Sequence, residues 1–192
     1  FIYDDYGKMI SVESASGAFN PAAMEATMVY GVAFEDNVRA VMEDADGHHF
    51  VIAAQKRVEY DDDFYNSYIR VIPIRKVDLN QTDIGEATCF AVSSKDIDFL
   101  YYGYQNKIVC MSTVTGNVLA TYDGFEEGNK IDYIEFDRSE NPNRLYVGVS
   151  NGSGKAKSGS IYYLRMSSNG SLEEENHFNN ICGRVVDFEY NK

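Results

Sequence analysis

Two acidic segments contain the residues whose type and spacing come closest to a ligand-binding pattern. In the first, Asp44 and Asp46 are separated by one residue and followed by Gly47, as at the start of a calcium-binding loop. The further ligands and the terminal glutamate of such a loop are missing at the expected spacing, so an ordinary acidic turn is the alternative. The sequence therefore predicts Asp44 and Asp46 as candidate metal ligands, with calcium as the candidate cofactor.

The second segment combines acidic and aromatic side chains between two predicted strands. It consists of Tyr60, Asp61, Asp62, Asp63, Phe64 and Tyr65. Carboxylates bind cations and aromatic rings stack on sugars, so these six residues are predicted to form a binding site for one of these ligands. A solvated hairpin loop of the same composition is the alternative.

The sequence contains no recognisable catalytic motif. Histidine is the side chain that titrates near neutral pH, and the chain has three, His48, His49 and His177. His48 and His49 are adjacent at a predicted strand start, so their side chains should point to opposite faces, which makes them poor joint metal ligands. Gly154-Lys155 lacks the other residues of a phosphate-binding loop, and no serine-hydrolase or zinc-protease motif occurs. We therefore expect no catalytic residues.

Charge and cysteine content exclude several further classes of protein. Thirty acidic residues against 17 basic residues give a net charge of −13, which argues against nucleic acid as a partner because a phosphate backbone requires a basic surface. The three cysteines form no Cys-x-x-Cys pair, which disfavours zinc ribbons and thioredoxin-type chemistry. Cys89 and Cys110 are predicted to be buried free thiols in strands.

The stretch Thr88–Phe125 predicts four short β-strands joined by turns. Its apolar runs are rich in β-branched and aromatic residues and are too short for typical helices. Gln105-Asn106 and Thr115-Gly116-Asn117 are compact turn signals, so the later runs should pair as antiparallel hairpins. Four antiparallel strands in a segment of this length are typical of one propeller blade.

The strand patterns in the whole chain predict an all-β fold, a β-propeller with blades of four antiparallel strands. Complete blades are predicted near residues 28–79, 86–125 and 130–178. A split blade would combine residues 1–27 with 183–192, because the chain opens with later strands of a blade and ends with a first strand. Residues 1–192 would then form a single four-bladed domain, or part of a larger propeller. A β-sandwich is the alternative architecture.

Repeated sequence patterns favour this division into blades. Leu100–Gly103 matches Leu145–Gly148 at a spacing of 45 residues, and Phe90–Val92 matches Ile134–Phe136 at a spacing of 44. Phe50–Ala53 precedes Leu100–Gly103 by 50 residues and is predicted to be its counterpart in the first blade. Variation of a few residues in spacing is normal where loops differ in length and strands do not.

Several strand sequences carry a further pattern that extends over half of the chain. They are Phe90-Ala91-Val92, Phe99-Leu100-Tyr101-Tyr102, Lys107-Ile108-Val109, Ile134-Glu135-Phe136, Leu145-Tyr146-Val147-Gly148, Gly159-Ser160-Ile161-Tyr162 and Gly183-Arg184-Val185-Val186-Asp187-Phe188-Glu189-Tyr190. On these residues the region from Phe90 to Tyr190 resembles the C-terminal region of the PKD-like family of surface lipoproteins from gut anaerobes of the Bacteroides group.

The resemblance implies a location and a set of partners. It implies a lipid-anchored protein on the extracellular face of the outer membrane, with a propeller-like C-terminal region. Its implied partners are an outer-membrane nutrient transporter of the TonB-dependent type and the substrate-binding lid lipoprotein of that transporter. The expected function is a non-catalytic binding or scaffold module in glycan or peptide uptake. A glycan- or peptide-processing enzyme with active residues in the blade loops is the alternative. We expect the loops 60–66 and 152–158 to contact the partners.

Overall fold

The described part of the chain folds mainly into antiparallel β-strands. A computed structural model describes residues 2–3, 9–11, 27–34, 36–60, 67–79, 81, 83–93, 95–137, 141–151 and 158–186. Among these residues the helical structure is one short 3₁₀ turn, Asp83–Glu86, and no helix is long and apolar enough to cross a membrane. The predicted all-β class is thereby confirmed. The chain divides into two compact units, Phe1–Gln81 with Thr113–Gly116, and Thr82–Ser112 with Asn117–Lys192.

The first unit contains one short hairpin and one four-stranded sheet. The hairpin pairs β1 (Ile2–Tyr3) with β2 (Met9–Ser11). The N-terminal sheet consists of β3 (Thr27–Phe34), β4 (Asn37–Glu43), β5 (His49–Tyr60) and β6 (Ser67–Leu79), in this spatial order. Every neighbouring pair is antiparallel, so the sheet is a simple meander.

Pro73 lies at a bulge in the edge strand of the N-terminal sheet. A proline inside a predicted strand indicates an edge or a bulge, because it cannot donate a ladder hydrogen bond. The structure confirms both features, since β6 is the last strand of the sheet. The register also shifts between Ala53, which pairs with Arg75, and Ala54, which pairs with Pro73.

The second unit contains two further four-stranded antiparallel meanders. The central sheet consists of β7 (Cys89–Val92), β8 (Phe99–Tyr104), β9 (Lys107–Ser112) and β10 (Val118–Tyr122). The C-terminal sheet consists of β11 (Lys130–Phe136), β12 (Arg144–Asn151), β13 (Ser158–Met166) and β14 (Leu172–Cys182). The four strands and the hairpin pairing predicted within Thr88–Phe125 are confirmed.

The central and C-terminal sheets share one hydrophobic core. Its largest fully buried members come from β8, β9, β11 and β12 and include Tyr101, Ile108, Ile131, Phe136 and Leu145. Burial of these side chains from water stabilises the packing. The first strands of the two sheets lie side by side, and Thr88 Oγ1 donates a hydrogen bond of 2.7 Å to the carbonyl of Ile131.

The two described free thiols lie in this second unit. Cys110 on β9 is buried and Cys89 on β7 is half-buried. Burial raises the pKa of each thiol to about 11, so at neutral pH the reactive thiolate form is scarce. The predicted strand positions of Cys89 and Cys110 are confirmed, and both thiols are suited to packing rather than to nucleophilic chemistry.

The strand positions decide which of the repeated sequence patterns are equivalent. Phe90–Val92 and Ile134–Phe136 lie in the first strands of their sheets, and Leu100–Gly103 and Leu145–Gly148 lie in the second strands. The predicted match of Phe50–Ala53 to Leu100–Gly103 is wrong, because Phe50–Ala53 lies in β5, the third strand of its sheet. Similar apolar composition in second and third strands explains the misalignment, since both strands are central and buried.

Glu175 on β14 forms ion pairs with two arginines, which lie opposite each other on the neighbouring strands β12 and β13. Arg144 and Arg165 are register partners, and like charges in that position repel. Arg144 Nε lies 2.8 Å from Glu175 Oε2, and Arg165 Nε lies 2.7 Å from Glu175 Oε1. The hydrogen bond from Arg144 is the main reason that the pKa of Glu175 is lowered. One carboxylate thus offsets the repulsion of both guanidinium groups.

We expect Arg144→Ala to raise the pKa of Glu175 more than Arg165→Ala does, as measured by carboxyl carbon NMR titration. Because the pKa of Glu175 is lowered in the folded state, its ion pairs contribute stability above the unfolded-state pKa. That contribution is lost as the pH falls through the folded pKa. The arginines are partly exposed, so we expect the loss to stay below about 1 kcal/mol. Equal titration of Glu175 in wild type and both variants would contradict this arrangement.

Candidate functional site

A small polar pocket lies at one end of the C-terminal sheet. Its volume is about 240 Å³. The residues that line it are Glu126, Asn129, Val149, Asn151, Ser158, Gly159, Ser160, Tyr162 and Asn179. Amide and hydroxyl groups dominate the lining, and Glu126 is its single formally charged side chain among the described residues. We refer to these nine residues as the polar pocket.

A tight turn places Glu126 and Asn129 at the pocket. The backbone N–H of Asn129 donates to the carbonyl of Glu126 at 3.2 Å, and Gly128 has a φ of 84°. A β-turn with positive φ at its third residue requires glycine there, because a side chain would be strained. A Cβ built on Gly128 would lie 3.7 Å from the Asn151 side-chain oxygen, so the turn approaches the end of β12 closely.

The opposite side of the pocket is fixed by contacts across β13 and β14. Ser160 Oγ donates a hydrogen bond of 2.8 Å to Asn179 Oδ1, which orients the Asn179 amide. The buried ring of Tyr162 packs edge-on against Phe125 with 4.9 Å between ring centroids, and it stacks on His177 at 5.2 Å. Burial, followed by the charges of nearby glutamates, raises the pKa of Tyr162, so its phenol remains protonated at neutral pH.

Asn129 has an unusual environment for a buried amide. Only 8% of its surface is exposed, and the structure records no hydrogen bond between its side chain and any other described residue. Its amide nitrogen and oxygen are not among the fully buried unpaired side-chain atoms of the described residues, so they remain accessible to a partner from outside the described chain. The polar pocket is where a ligand or a water molecule would supply that partner.

A second group of polar side chains lies beside the pocket, on the far side of Tyr162. His177 Nδ1 lies 2.7 Å from Glu174 Oε1, and the hydroxyl of Tyr122 donates to Glu174 Oε2 at 3.3 Å. Burial and the charge of Glu174 raise the pKa of Tyr122 to about 12. A glutamate that orients a histidine is one part of a nucleophilic site. Within the described chain, no serine, threonine or cysteine side chain forms a hydrogen bond with His177.

The two predicted metal ligands lie in the turn between β4 and β5. The ligand atoms of Asp44 and Asp46, together with His48, lie within 4.8 Å of one another. Asp44 Oδ1 already accepts hydrogen bonds from the backbone N–H groups of Asp46 at 3.0 Å and His48 at 2.9 Å. The bond from His48 is the main cause of the lowered pKa of Asp44. The structure thus brings these residues together as a hydrogen-bonded acidic turn, and calcium binding there stays a prediction.

The adjacent histidines take separate partners, as their neighbouring positions predict. His48 Nδ1 lies 3.4 Å from Asp44 Oδ2 in the exposed turn. His49 is buried and its Nε2 lies 2.9 Å from Glu43 Oε2. His48 and His49 therefore lie next to different carboxylates, and their unsuitability as joint metal ligands stays a prediction.

The acidic and aromatic segment 60–65 lies largely outside the described residues. Tyr60 is the last residue of β5, where its backbone pairs with Ser67, so it belongs to a strand rather than to the predicted loop. Asp61, Asp62, Asp63, Phe64 and Tyr65 lie outside the described part of the chain, as do residues 152–157 of the second predicted contact loop. Their binding roles stay predictions.

The polar pocket could not be recognised from the sequence, because its residues come from four separate places in the chain. Pocket residues lie between positions 126 and 179, and their types form no recognisable binding motif along the sequence. One local signal was available in Glu126-Glu127-Gly128-Asn129, a segment with glycine at the third position of a turn. The pairing of Ser160 with Asn179 depends on strand register, which the sequence does not show directly.

Comparison with known proteins adds no functional assignment. No protein-family model matches the chain, and a search of curated proteins finds no match.

Proposed function

We propose that this chain is a non-catalytic binding module whose polar pocket takes a small polar ligand. The observation that carries the proposal is the polar lining of the pocket, which includes Asn129, Asn151 and Asn179 and in which Ser160 orients the Asn179 amide by a hydrogen bond. A pocket rich in amide and hydroxyl groups suits recognition by hydrogen bonds. Bond cleavage instead requires a nucleophile with a base, or two suitably placed carboxylates.

The test is to separate binding from turnover. The purified chain is incubated with panels of oligosaccharides and short peptides, and each compound is analysed by mass spectrometry after incubation. We expect at least one compound to stabilise the protein against thermal unfolding and to be recovered unchanged. Steady release of smaller products, with multiple turnovers per protein molecule, would contradict the non-catalytic role.

A processing enzyme is the second candidate, and the His177–Glu174 pair is the observation that favours it. The 2.7 Å contact would hold the imidazole in one orientation, and 41% exposure of the His177 side chain leaves it accessible to solvent. If the protein were a hydrolase of this kind, His177→Ala would abolish product release and His48→Ala, in the acidic turn between β4 and β5, would leave it unchanged. If the His177→Ala and His48→Ala proteins both keep full activity, His177 has no catalytic role.

The three sheets support the further proposal that they are blades of a propeller. Each is a four-stranded antiparallel meander in chain order. Gly103 and Gly148 occupy the matching position of β8 and β12, and each faces an apolar β-branched residue. A Cβ on Gly103 would lie 2.8 Å from Ile131 Cγ2, in the first strand of the next sheet. A Cβ on Gly148 would overlap Val185, just after β14. In the proposed propeller, Val185 would pack on Gly148 as Ile131 packs on Gly103.

The partner proposal rests on the resemblance to surface lipoproteins. We expect the full-length protein to purify from native outer membranes together with a TonB-dependent transporter and its lid lipoprotein. The acidic surface implied by a net charge of −13 would suit a basic contact surface on such a partner. Affinity purification in mild detergent tests this expectation, and recovery of the full-length protein without a transporter would count against it.

A further inference from the structure

We propose that the polar pocket binds a neutral saccharide, one sugar ring at a time. This inference rests on the proposed binding function and adds the class of ligand. The lining groups supply both hydrogen-bond donors and acceptors, as a ring with several hydroxyl groups requires. The cavity of about 240 Å³ is smaller than the roughly 300–1,000 Å³ of sites for drug-sized ligands. Its size therefore suits a single ring rather than an extended chain.

Charge in the pocket distinguishes a saccharide from an ionic ligand. Glu126 is exposed and is the single formal charge among the described lining residues, and its carboxylate would repel a phosphate or carboxylate ligand. Calcium requires six to eight oxygen ligands and usually several carboxylates. One carboxylate among amides and hydroxyls instead matches pairs of neighbouring sugar hydroxyls, which donate to the carboxylate and accept from the amides.

The polar groups are held in place before a ligand arrives. Ser160 Oγ donates to Asn179 Oδ1, which leaves the Nδ2 amino group of Asn179 as its donor for a sugar oxygen. The turn that ends at Asn129 is fixed by its own backbone hydrogen bond. Val149 and Tyr162, both buried, support the polar lining from beneath. Pre-organisation of this kind lowers the entropic cost of binding.

The test measures binding of monosaccharides to the purified chain by protein-detected NMR titration in the presence of EDTA. The probes are glucose, galactose, mannose, fucose, xylose and N-acetylglucosamine. We expect saturable binding of at least one probe with a Kd of about 1 mM, the order expected for a ligand of roughly twelve non-hydrogen atoms. The shifted amide signals should be those of residues in the turn 126–129 and in β12 to β14.

Matched asparagine variants connect the binding to the pocket. Asn179→Ala removes an exposed pocket donor, and we expect it to weaken binding about tenfold. Asn176→Ala is the control, because Asn176 is also exposed on β14 but pairs with Tyr163 rather than facing the pocket, and it should leave the Kd unchanged. Asn129→Ala should also weaken binding. If Asn129→Ala fails to fold, the effect of Asn179→Ala on the Kd is sufficient to test whether the sugar binds in the pocket.

The alternative outcomes separate the two proposals. If folded protein binds amino acids or dipeptides but no monosaccharide, the saccharide proposal fails and the binding function remains. Stabilisation by calcium alone, lost in Asn129→Ala, would also overturn the saccharide proposal and assign the pocket to a cation. If folded protein binds none of these probes, both proposals fail. Equal weakening of sugar binding by Asn179→Ala and Asn176→Ala would show that the sugar binds elsewhere.

Discussion

Replacement of Tyr101 by alanine is expected to lower the free energy of unfolding by about 3–5 kcal/mol, the usual cost of removing a buried aromatic ring. The Tyr101 side chain is fully buried on β8, and its ring packs edge-on against Phe136 with 5.3 Å between centroids. Its hydroxyl donates a 2.9 Å hydrogen bond to the carbonyl of Gly170, and burial raises the pKa of the phenol. One side chain therefore connects the central sheet to the turn before β14. Urea denaturation followed by circular dichroism measures the loss.

Two further variants separate the ring from the hydroxyl. Tyr101→Phe keeps the ring and leaves the Gly170 carbonyl without its donor, so we expect a smaller loss of about 1–2 kcal/mol. Tyr104→Ala is the control on the same strand, because Tyr104 is only half-buried and its hydroxyl accepts an exposed hydrogen bond from Gln105. A Tyr101→Ala protein as stable as the Tyr104→Ala protein would show that Tyr101 does not lie in the shared core.

Gly103→Ala is expected to destabilise the protein by about 2 kcal/mol, although alanine is only one methyl group larger. The new Cβ would lie 2.8 Å from Cys89 Sγ and 2.9 Å from Ile131 Cβ, distances that real Cβ atoms do not reach. Movement of β11 is resisted, because the Ile131 N–H donates to the Gln105 carbonyl at 3.2 Å. Inserting a methyl group into a closely packed interior costs about 1–3 kcal/mol. Equilibrium denaturation measures this cost.

A double-mutant cycle tests whether Ile131 causes the clash. Ile131→Ala alone leaves a cavity and should cost about 2–5 kcal/mol. If the methyl group of Gly103→Ala meets Ile131, the two substitutions together should cost less than the sum of the single effects, by at least about 0.5 kcal/mol. Additive losses would mean that Gly103 and Ile131 are not in contact, and would remove the packing of β8 against β11 on which the propeller proposal depends.

Strands and turns could be predicted from the sequence because their signals are local. The alternation of apolar residues and the turn residues between Thr88 and Phe125 predicted four strands, and these strands form. Pro73 likewise predicted an edge or a bulge from its missing N–H group alone. Strand ends were less well predicted: β5 continues through Tyr60, because pairing with β6 extends the ladder into a polar segment.

The candidate sites also differ in whether their residues are close together in the sequence or are brought together only by the fold. Asp44, Asp46 and Gly47 lie within four residues of one another, so their turn could be predicted from spacing. The polar pocket could not, because Glu126, Asn151 and Asn179 are brought together by strand pairing and by the turn at Gly128. The partnership of His177 with Glu174 also depends on the conformation of β14, where the register shifts beside Leu164.

The sequence by itself determined the all-β class, the meander of short antiparallel strands and the acidic character of the surface, because each depends on residue type and near neighbours. Tertiary structure alone decided that Gly103 lies against Ile131, that Gly148 lies against Val185 and that Asn129 lines a polar pocket. The two glycine contacts join residues that are 28 and 37 positions apart. Residue type constrains such contacts only weakly, since strand register and sheet packing select them from many pairings of similar composition.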